Sequence, residues 1–327
     1  MSTALVVGGT RFVGRHAVEE FLGAGYDVTL FNRGEHENPF GDRVGRVEGD
    51  RENDSALELA RERVDPDVVV DCVAYRPRDV RAATEIFADA DAYVYVSSGD
   101  AYGAEVVPKR EGETDLRPCT AEQARDDSGE TYGNRKAEGD RAVFAAADRG
   151  VNAMAVRPCV VYGPHDYTER LDYWLARVRG HDRVLVPGDG TNLWHRAYVE
   201  DVAAALRVVA EEGAAGEAYN VGDRRLLTLE DLVAACAAAL DTDVEVVHAS
   251  ARELGIGDCE PTDFPLYREY PHVLDTSKLA ALGWESTPVD EAMAATAADH
   301  VDGDRDGSEH GPDRETAERV MNVLETV

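Results

Sequence analysis

The sequence predicts an α/β fold: a doubly wound parallel sheet with a smaller C-terminal lobe. Three observations predict it. Over residues 1–160, short β-branched runs such as Ala4-Leu5-Val6-Val7 and Val68-Val69-Val70 alternate with amphipathic helical stretches. Strands alternating with helices imply parallel pairing with both faces of the sheet covered. A glycine-rich turn, Gly8-Gly9-Thr10-Arg11-Phe12-Val13-Gly14, joins the first strand to the first helix. Beyond Pro158 the alternation loosens into turns, Gly163-Pro164 and Pro187-Gly188-Asp189-Gly190, mixed with helices, which fits a second lobe.

Taken in order, the apolar runs predict strands at 4–7, 27–31, 43–47, 68–71, 92–97 and 152–157. The amphipathic stretches between them predict helices at 13–24, 55–64, 78–87 and 132–149. Further helices are predicted at 171–179, 199–210, 228–240 and 276–282. This organisation reads as a dinucleotide-binding domain over 1–160 with return segments at about 195–222, and a substrate lobe over 161–300. An acidic tail, 301–327, carries a short helix at 314–324.

The 327 residues include 34 Lys+Arg and 65 Asp+Glu, a formal net charge of −31. At 43% hydrophobic the chain is too apolar for a disordered acidic protein, so the acid coats a folded core. Only Lys109, Lys136 and Lys278 are lysines; the other basic residues are arginines. Lysine loss with carboxylate gain suits concentrated salt, where screening within about 3 Å removes most self-repulsion, and predicts a halophile's cytoplasm. Neither a signal-peptide pattern nor an apolar run of about 18 residues occurs, so no membrane is expected. Five scattered cysteines without CxxC spacing indicate neither a disulfide framework nor a zinc site. Asp302, Asp304, Asp306, Gly307 and Asp313 share the spacing of a calcium loop, but Glu309 takes its apolar position. They are read as a solvated linker, and no metal is expected.

A glycine turn between strand and helix offers backbone N–H groups and a positive helix end to a pyrophosphate, the Rossmann-type arrangement. Gly8, Thr10, Arg11, Phe12, Val13 and Gly14 are therefore candidate cofactor contacts. The second strand ends Phe31-Asn32-Arg33, where chains that hold NAD usually place an acid for the ribose hydroxyl. Arginine pairs instead with a 2′-phosphate. Arg33, with Arg11 in reach of the same area, thus favours NADP over NAD, and Asn32 is a further candidate cofactor contact.

Tyr132 and Lys136, four apart at the start of a helical stretch, share one helix face. An ammonium beside a phenol favours the phenolate and equips it as a general base. Retention of lysine here, in a chain that otherwise uses arginine, suggests a task that arginine does not perform.

With Gly49-Asp50, Val70-Asp71-Cys72-Val73-Ala74, Ser97-Ser98-Gly99-Asp100-Ala101-Tyr102-Gly103, Arg157-Pro158, Tyr162-Gly163-Pro164, Gly188-Asp189-Gly190, Arg196-Ala197-Tyr198-Val199-Glu200-Asp201-Val202 and Tyr219-Asn220-Val221-Gly222 in the same order, the chain resembles an extended short-chain dehydrogenase/reductase of the NAD-dependent epimerase/dehydratase family. The resemblance covers about residues 3–300. It implies Ser98, Tyr132 and Lys136 as catalytic groups, Asp50 with Arg51 beside the adenine, and Ala74 in a loop along the cofactor. It also implies Arg196 on a substrate pyrophosphate, with Asp100 as a further substrate contact.

Two departures bear on the reaction. Arg11 replaces the usual middle glycine, as in atypical members such as chloroplast stem-loop-binding relatives, which often lack the Tyr/Lys pair retained here. Dehydratases place Asp then Glu after the catalytic Thr, whereas Gly99 and Asp100 stand here, which disfavours water elimination. The reading is an NAD(P)-dependent epimerase or reductase acting on a nucleotide-activated sugar or similar carbonyl or alcohol substrate, in a homodimer. The alternative is a non-catalytic protein that senses dinucleotide or associates with RNA, although the sequence has no basic stretch for phosphate backbones. The charge balance predicts that the far-ultraviolet circular dichroism signal collapses at low salt and recovers in molar KCl; full stability without salt contradicts it.

Overall fold

The apolar runs form strands in the computed structural model, which describes residues 2–325. The chain divides into two units. The first comprises residues up to Val161, Ala197–Gly222 and Leu274–Ser286. Its strands are β1 (Thr3–Val7), β2 (Asp27–Asn32), β3 (Gly45–Glu48), β4 (Val68–Asp71), β5 (Ala92–Val96), β6 (Ala153–Pro158) and β7 (Ala218–Val221). They form one parallel sheet in the order β7-β6-β5-β4-β1-β2-β3.

Its main helices are α1 (Phe12–Gly23), α2 (Asp54–Val64), α3 (Pro77–Ile86), α4 (Tyr132–Ala147) and α5 (Val199–Glu212). One apolar layer joins Ala17, Val18 and Phe21 of α1 and Val202, Leu206 and Val209 of α5 to the sheet. The opposite layer uses Leu57 of α2, Val80 and Ala83 of α3, and Val143 and Ala146 of α4. A central strand such as β4, buried at every residue, is therefore uniformly apolar until Asp71. Register aligns Val7 with Asp71 and Asp71 with Tyr95, so the segments after β1, β4 and β5 leave from one edge of the sheet. Because β1 lies between β2 and β4, the strand order reverses there, which is where doubly wound sheets open a crevice.

Three details of this unit differ from the sequence expectation. β3 begins at Gly45, because Gly41–Arg43 forms a 3₁₀ turn. The segment 274–286 returns to this unit, and the helix expected over 276–282 shrinks to Ser277–Ala280. β7 extends the sheet by a seventh strand, whose apolar run is interrupted by the buried Asn220.

The second unit comprises Tyr162–Arg196, Asp223–Val273 and Thr287–Val327. A parallel pair, Arg183–Pro187 with Glu245–Ala249, accompanies helices Asp172–Gly180, Leu229–Ala239, Val289–Asp302 and Arg314–Leu324. Trp174 stacks on Phe264 at 6.2 Å and donates its indole N–H to the Pro265 carbonyl at 2.9 Å. The tail is not the solvated linker expected. A Cβ at Gly307, whose φ is +62°, would stand 2.2 Å from the Tyr173 nitrogen. Tyr173 and Arg177 both donate to the Pro312 carbonyl, at 3.1 and 2.6 Å. Asp313 caps the final helix, and Ala317, Val320 and Met321 are buried. Among the described residues no helix is long and apolar enough to cross a membrane.

This packing generates a stability test. Met321→Ala costs about 2–5 kcal/mol, whereas Glu315→Ala, at an exposed side chain of the same helix, stays within about 0.5 kcal/mol. Equal denaturation midpoints for the two variants would contradict a docked tail.

Candidate active site

The turn after β1 is closed to the limit that glycine allows. Gly8, at φ +90°, would place a Cβ 2.4 Å from Val73 Cγ1 in the segment after β4. A Cβ on Gly14 would stand 2.2 Å from the Gly8 carbonyl oxygen. Arg11 is the extended N-cap residue of α1, and buried Phe12 opens the helix at a positive φ of 34°, disfavoured for a bulky side chain. The first turn of α1 has no acidic residue, so its positive end is not neutralised there. Such a turn fits a dinucleotide pyrophosphate, with Thr10 and Val13 alongside.

At the end of β2, Asn32 Oδ1 accepts the Gly34 N–H at 3.0 Å, and exposed Arg33 pairs with Glu35 at 2.8 Å. Asp50 is exposed and accepts the Glu52 N–H at 2.9 Å. Arg51, taken from the sequence as a cofactor contact, turns inward and is only 7% exposed. Its Nη2 donates to Asp71 Oδ2 at 2.7 Å and to the Asp79 carbonyl at 2.5 Å. Tyr93 also donates to Asp71, at 3.1 Å. Arg51 thus braces the end of β4 against the start of α3.

β5 leads into Ser98, whose Oγ accepts the Asp100 N–H at 3.1 Å and retains its own proton to donate. The following 3₁₀ turn, Gly99–Ala101, lies directly against α4: a Cβ on Gly133 would stand 2.4 Å from the Asp100 carbonyl oxygen. Arg117 Nε donates to that same carbonyl at 2.8 Å. Glycine after Tyr132 therefore lets the Ser98 turn reach the helix that carries the tyrosine.

Lys136 is buried at 2% exposure. Its Nζ donates to the carbonyls of Ala74 at 3.1 Å and Val96 at 2.8 Å. The same ammonium lies 5.7 Å from the Tyr132 ring centre, 4.8 Å from Tyr95 and 5.2 Å from Tyr75. Burial pushes Lys136 down to about 8, with Asp71 and Asp140 acting in the opposite sense. Burial also pushes the neighbouring Cys72 thiol up to about 12, removing it as a thiolate nucleophile.

Beneath this cluster runs a buried chain that the motifs do not announce. Asp140, one turn beyond Lys136, accepts from Arg157 Nε at 2.8 Å. Arg157 Nη1 donates to the Tyr102 hydroxyl at 2.9 Å, which donates to Asn220 Oδ1 at 2.8 Å. Arg157, Tyr102 and Asn220 belong to quoted sequence motifs, but their connection to one another and to Asp140 emerges only in the fold. Gly139 is required beside it, since a Cβ there would stand 2.5 Å from the Tyr95 hydroxyl.

In the second unit, Arg196 is buried and donates from Nη2 to the Leu227 carbonyl at 2.6 Å. Nearby His195 bonds the Asp223 carbonyl at 2.8 Å, and burial pushes its imidazole down to about 4. Among the described residues, no group of three or more His, Cys, Asp or Glu side chains is placed to hold a metal ion.

The depressed Lys136 value gives a signed prediction. An unfolded lysine keeps its proton to about 10.5, so the folded state binds fewer protons between about 8 and 10.5. The stability cost of this buried charge is then relieved as pH rises through that window, while the ammonium itself is lost. Competitive acetic anhydride labelling followed by peptide mapping should give Lys136 an apparent pKa near 8. A value near 10.5 contradicts the buried setting.

The NAD dependent epimerase/dehydratase family matches residues 4–89 and 80–222. Chloroplast stem-loop binding protein of 41 kDa b from Arabidopsis thaliana is 26% identical over 296 residues, covering 86% of this chain and 74% of that protein. Low-salt glycan biosynthesis protein Agl12 from Haloferax volcanii is 28% identical over 204 residues, 61% of this chain and 57% of that protein. The structure of a Bacillus anthracis dTDP-glucose 4,6-dehydratase in complex with NAD has a TM-score of 0.73 at 19% identity, covering 93% of this chain and 98% of that one. That of a Thermotoga maritima UDP-glucose 4-epimerase with UDP-glucose has a TM-score of 0.72 at 21% identity, covering 92% and 99%. At such identities these two structures establish the Rossmann-type fold, and the family match over most of the chain establishes that it belongs to the NAD-dependent epimerase/dehydratase family.

Proposed function

We propose that the protein is an NADP- or NAD-dependent epimerase or reductase of a nucleotide-activated sugar. The observation that carries this reading is the Lys136 ammonium, held by the Ala74 and Val96 carbonyls beside the Tyr132 ring. Gly8, Thr10, Arg11, Phe12, Val13 and Gly14 would hold the dinucleotide pyrophosphate, Asn32 and Arg33 the adenosine ribose or its 2′-phosphate, and Asp50 the adenine. Ala74 would line the cofactor, while Arg51 would act behind Asp71 rather than by contact. The bound nicotinamide supplies a hydride acceptor and donor.

Tyr132 then removes the proton of a sugar hydroxyl as the carbinol is oxidised to a ketone, and returns it on reduction. Ser98 donates to the reacting oxygen. Lys136 favours the tyrosinate and holds the nicotinamide ribose. Epimerisation requires the ketone to present its other face before reduction, whereas a reductase releases oxidised cofactor. Gly99 supplies no acid where dehydratases of the family carry one, which disfavours loss of water. Asp100 and Arg196 are proposed as substrate contacts, and a homodimer as the assembly.

The likeness to a protein described as stem-loop binding supports a second reading, in which the chain senses dinucleotide or associates with RNA without catalysis. One experiment separates the two. UDP-, GDP- and dTDP-sugars are screened with both cofactors in molar KCl, using wild type and Tyr132→Phe. Catalysis predicts turnover that falls at least about 100-fold in the variant. NADP preference predicts a lower KM for NADP than for NAD. Turnover untouched by Tyr132→Phe removes the role given to Tyr132, absence of turnover in both proteins supports the non-catalytic reading, and equal or better use of NAD removes the role given to Arg33.

A further inference from the structure

The Lys136 ammonium stands among the phenol rings of Tyr95, Tyr75 and Tyr132, with ring centres at 4.8, 5.2 and 5.7 Å. All lie within the roughly 6 Å over which a cation is drawn to an aromatic face. The walls of this cage are unequal. Tyr95 belongs to β5 and is buried, whereas Tyr75 is 45% exposed although the ammonium beside it is buried. Tyr75 thus covers the ammonium where the cluster meets solvent.

Its backbone is fixed on both sides. Ala74 offers its carbonyl to Lys136 at 3.1 Å, and Arg76, the N-cap residue of α3, donates its N–H to Asp79 Oδ2 at 3.0 Å. A single residue spans the two anchors, which keeps the ring close to the charge. Burial brings Lys136 down to about 8; Asp71 at the end of β4, Asp140 on α4 and Cys72 act in the opposite sense, and Arg135 adds to the depression. Whatever keeps water out therefore sets how strongly the charge acts on its neighbours. Salt sharpens this requirement, because in molar KCl a charge open to solvent is screened within about 3 Å.

We propose that Tyr75 is a positioning residue for the reaction, its ring excluding water and ions from the Lys136 ammonium so that the charge acts on Tyr132. The role rests on Tyr132 as acid and base, but the covered ammonium is measurable without turnover. The ring performs it rather than the hydroxyl, so phenylalanine substitutes and alanine does not. Opening the site hydrates the ammonium, which raises its pKa, and weakens its hold on the tyrosinate, which raises that of Tyr132.

The test is competitive acetic anhydride labelling of Lys136 in the full chain at fixed molar KCl, in wild type, Tyr75→Phe and Tyr75→Ala. Tyr75→Phe should keep the wild-type value near 8. Tyr75→Ala should raise it by at least about 1 pH unit, which cuts labelling at pH 8 about fivefold or more. With a nucleotide sugar that is turned over, the pH profile of kcat should move upward in Tyr75→Ala and stay in place in Tyr75→Phe. Circular dichroism confirms that both variants are folded. An unchanged or lowered Lys136 value in Tyr75→Ala overturns the proposal, since the ring would then be a bystander or only a cation–π partner. An equal rise in Tyr75→Phe also overturns it, because the effect would belong to the hydroxyl. If wild type turns over none of the sugars, the proposed reaction is what fails, and the labelling still upholds or overturns the cover.

Discussion

A single buried ammonium joins the parts of this protein that would have to cooperate. Lys136 donates to Ala74, just beyond β4, and to Val96, the last residue of β5, while its helix carries Tyr132. Two strand ends and one helix are thereby fixed to a common point. The arrangement tolerates little else: Gly133 and Gly139 leave space on the same helix for the Asp100 carbonyl and the Tyr95 hydroxyl. Burying the cation is costly, and aromatic rings with two carbonyls offset that cost without neutralising it. The charge therefore remains available to a neighbouring phenolate, which a tight carboxylate pair would not permit to the same degree.

The same logic explains why so arginine-rich a chain retains lysine. Lys109 donates to the Ala104 and Val106 carbonyls, Lys136 to Ala74 and Val96, and Lys278 to Ala218. All three tie backbone carbonyls with a compact ammonium whose three donors can turn toward converging acceptors. Arginines also reach carbonyls, as Arg196 does at Leu227, but several fork onto carboxylates as well, as in the buried Arg157–Asp140 and Arg51–Asp71 pairs or the Arg78–Asp54 fork. A planar guanidinium in place of Lys136 would need more space than the crossing of β4, β5 and α4 offers.

Continuous apolar strands and a glycine turn are local signals, so most of the parallel sheet and its first helix are legible in the sequence. The Tyr132/Lys136 spacing is likewise contained within one helical turn. Contacts across the chain are less accessible: Arg157 and Asp140 are 17 residues apart, and Tyr102 and Asn220 are 118 apart. Arg51 misleads because its charge suggests the surface, whereas the fold presents it with Asp71. The tail misleads in the opposite direction. Its acidic composition suggests solvent, but Gly307 permits a backbone approach that composition does not reveal. β7, whose apolar run Asn220 interrupts, depends on its pairing with β6, which only the fold reveals.

Net charge constrains any anionic ligand. At −31 the protein repels phosphate from a distance in dilute salt, and long-range attraction cannot gather it. Molar salt shortens the Debye length to about 3 Å, which removes most of that repulsion and most steering with it. Recognition then rests on groups within contact distance: glycine-turn N–H donors, the α1 terminus, and cations held by their neighbours. This favours geometry fixed before the ligand arrives, because diffuse positive charge is screened as effectively as diffuse negative charge. In such a solvent an acid coat and tightly braced cations are compatible, because both act at contact range.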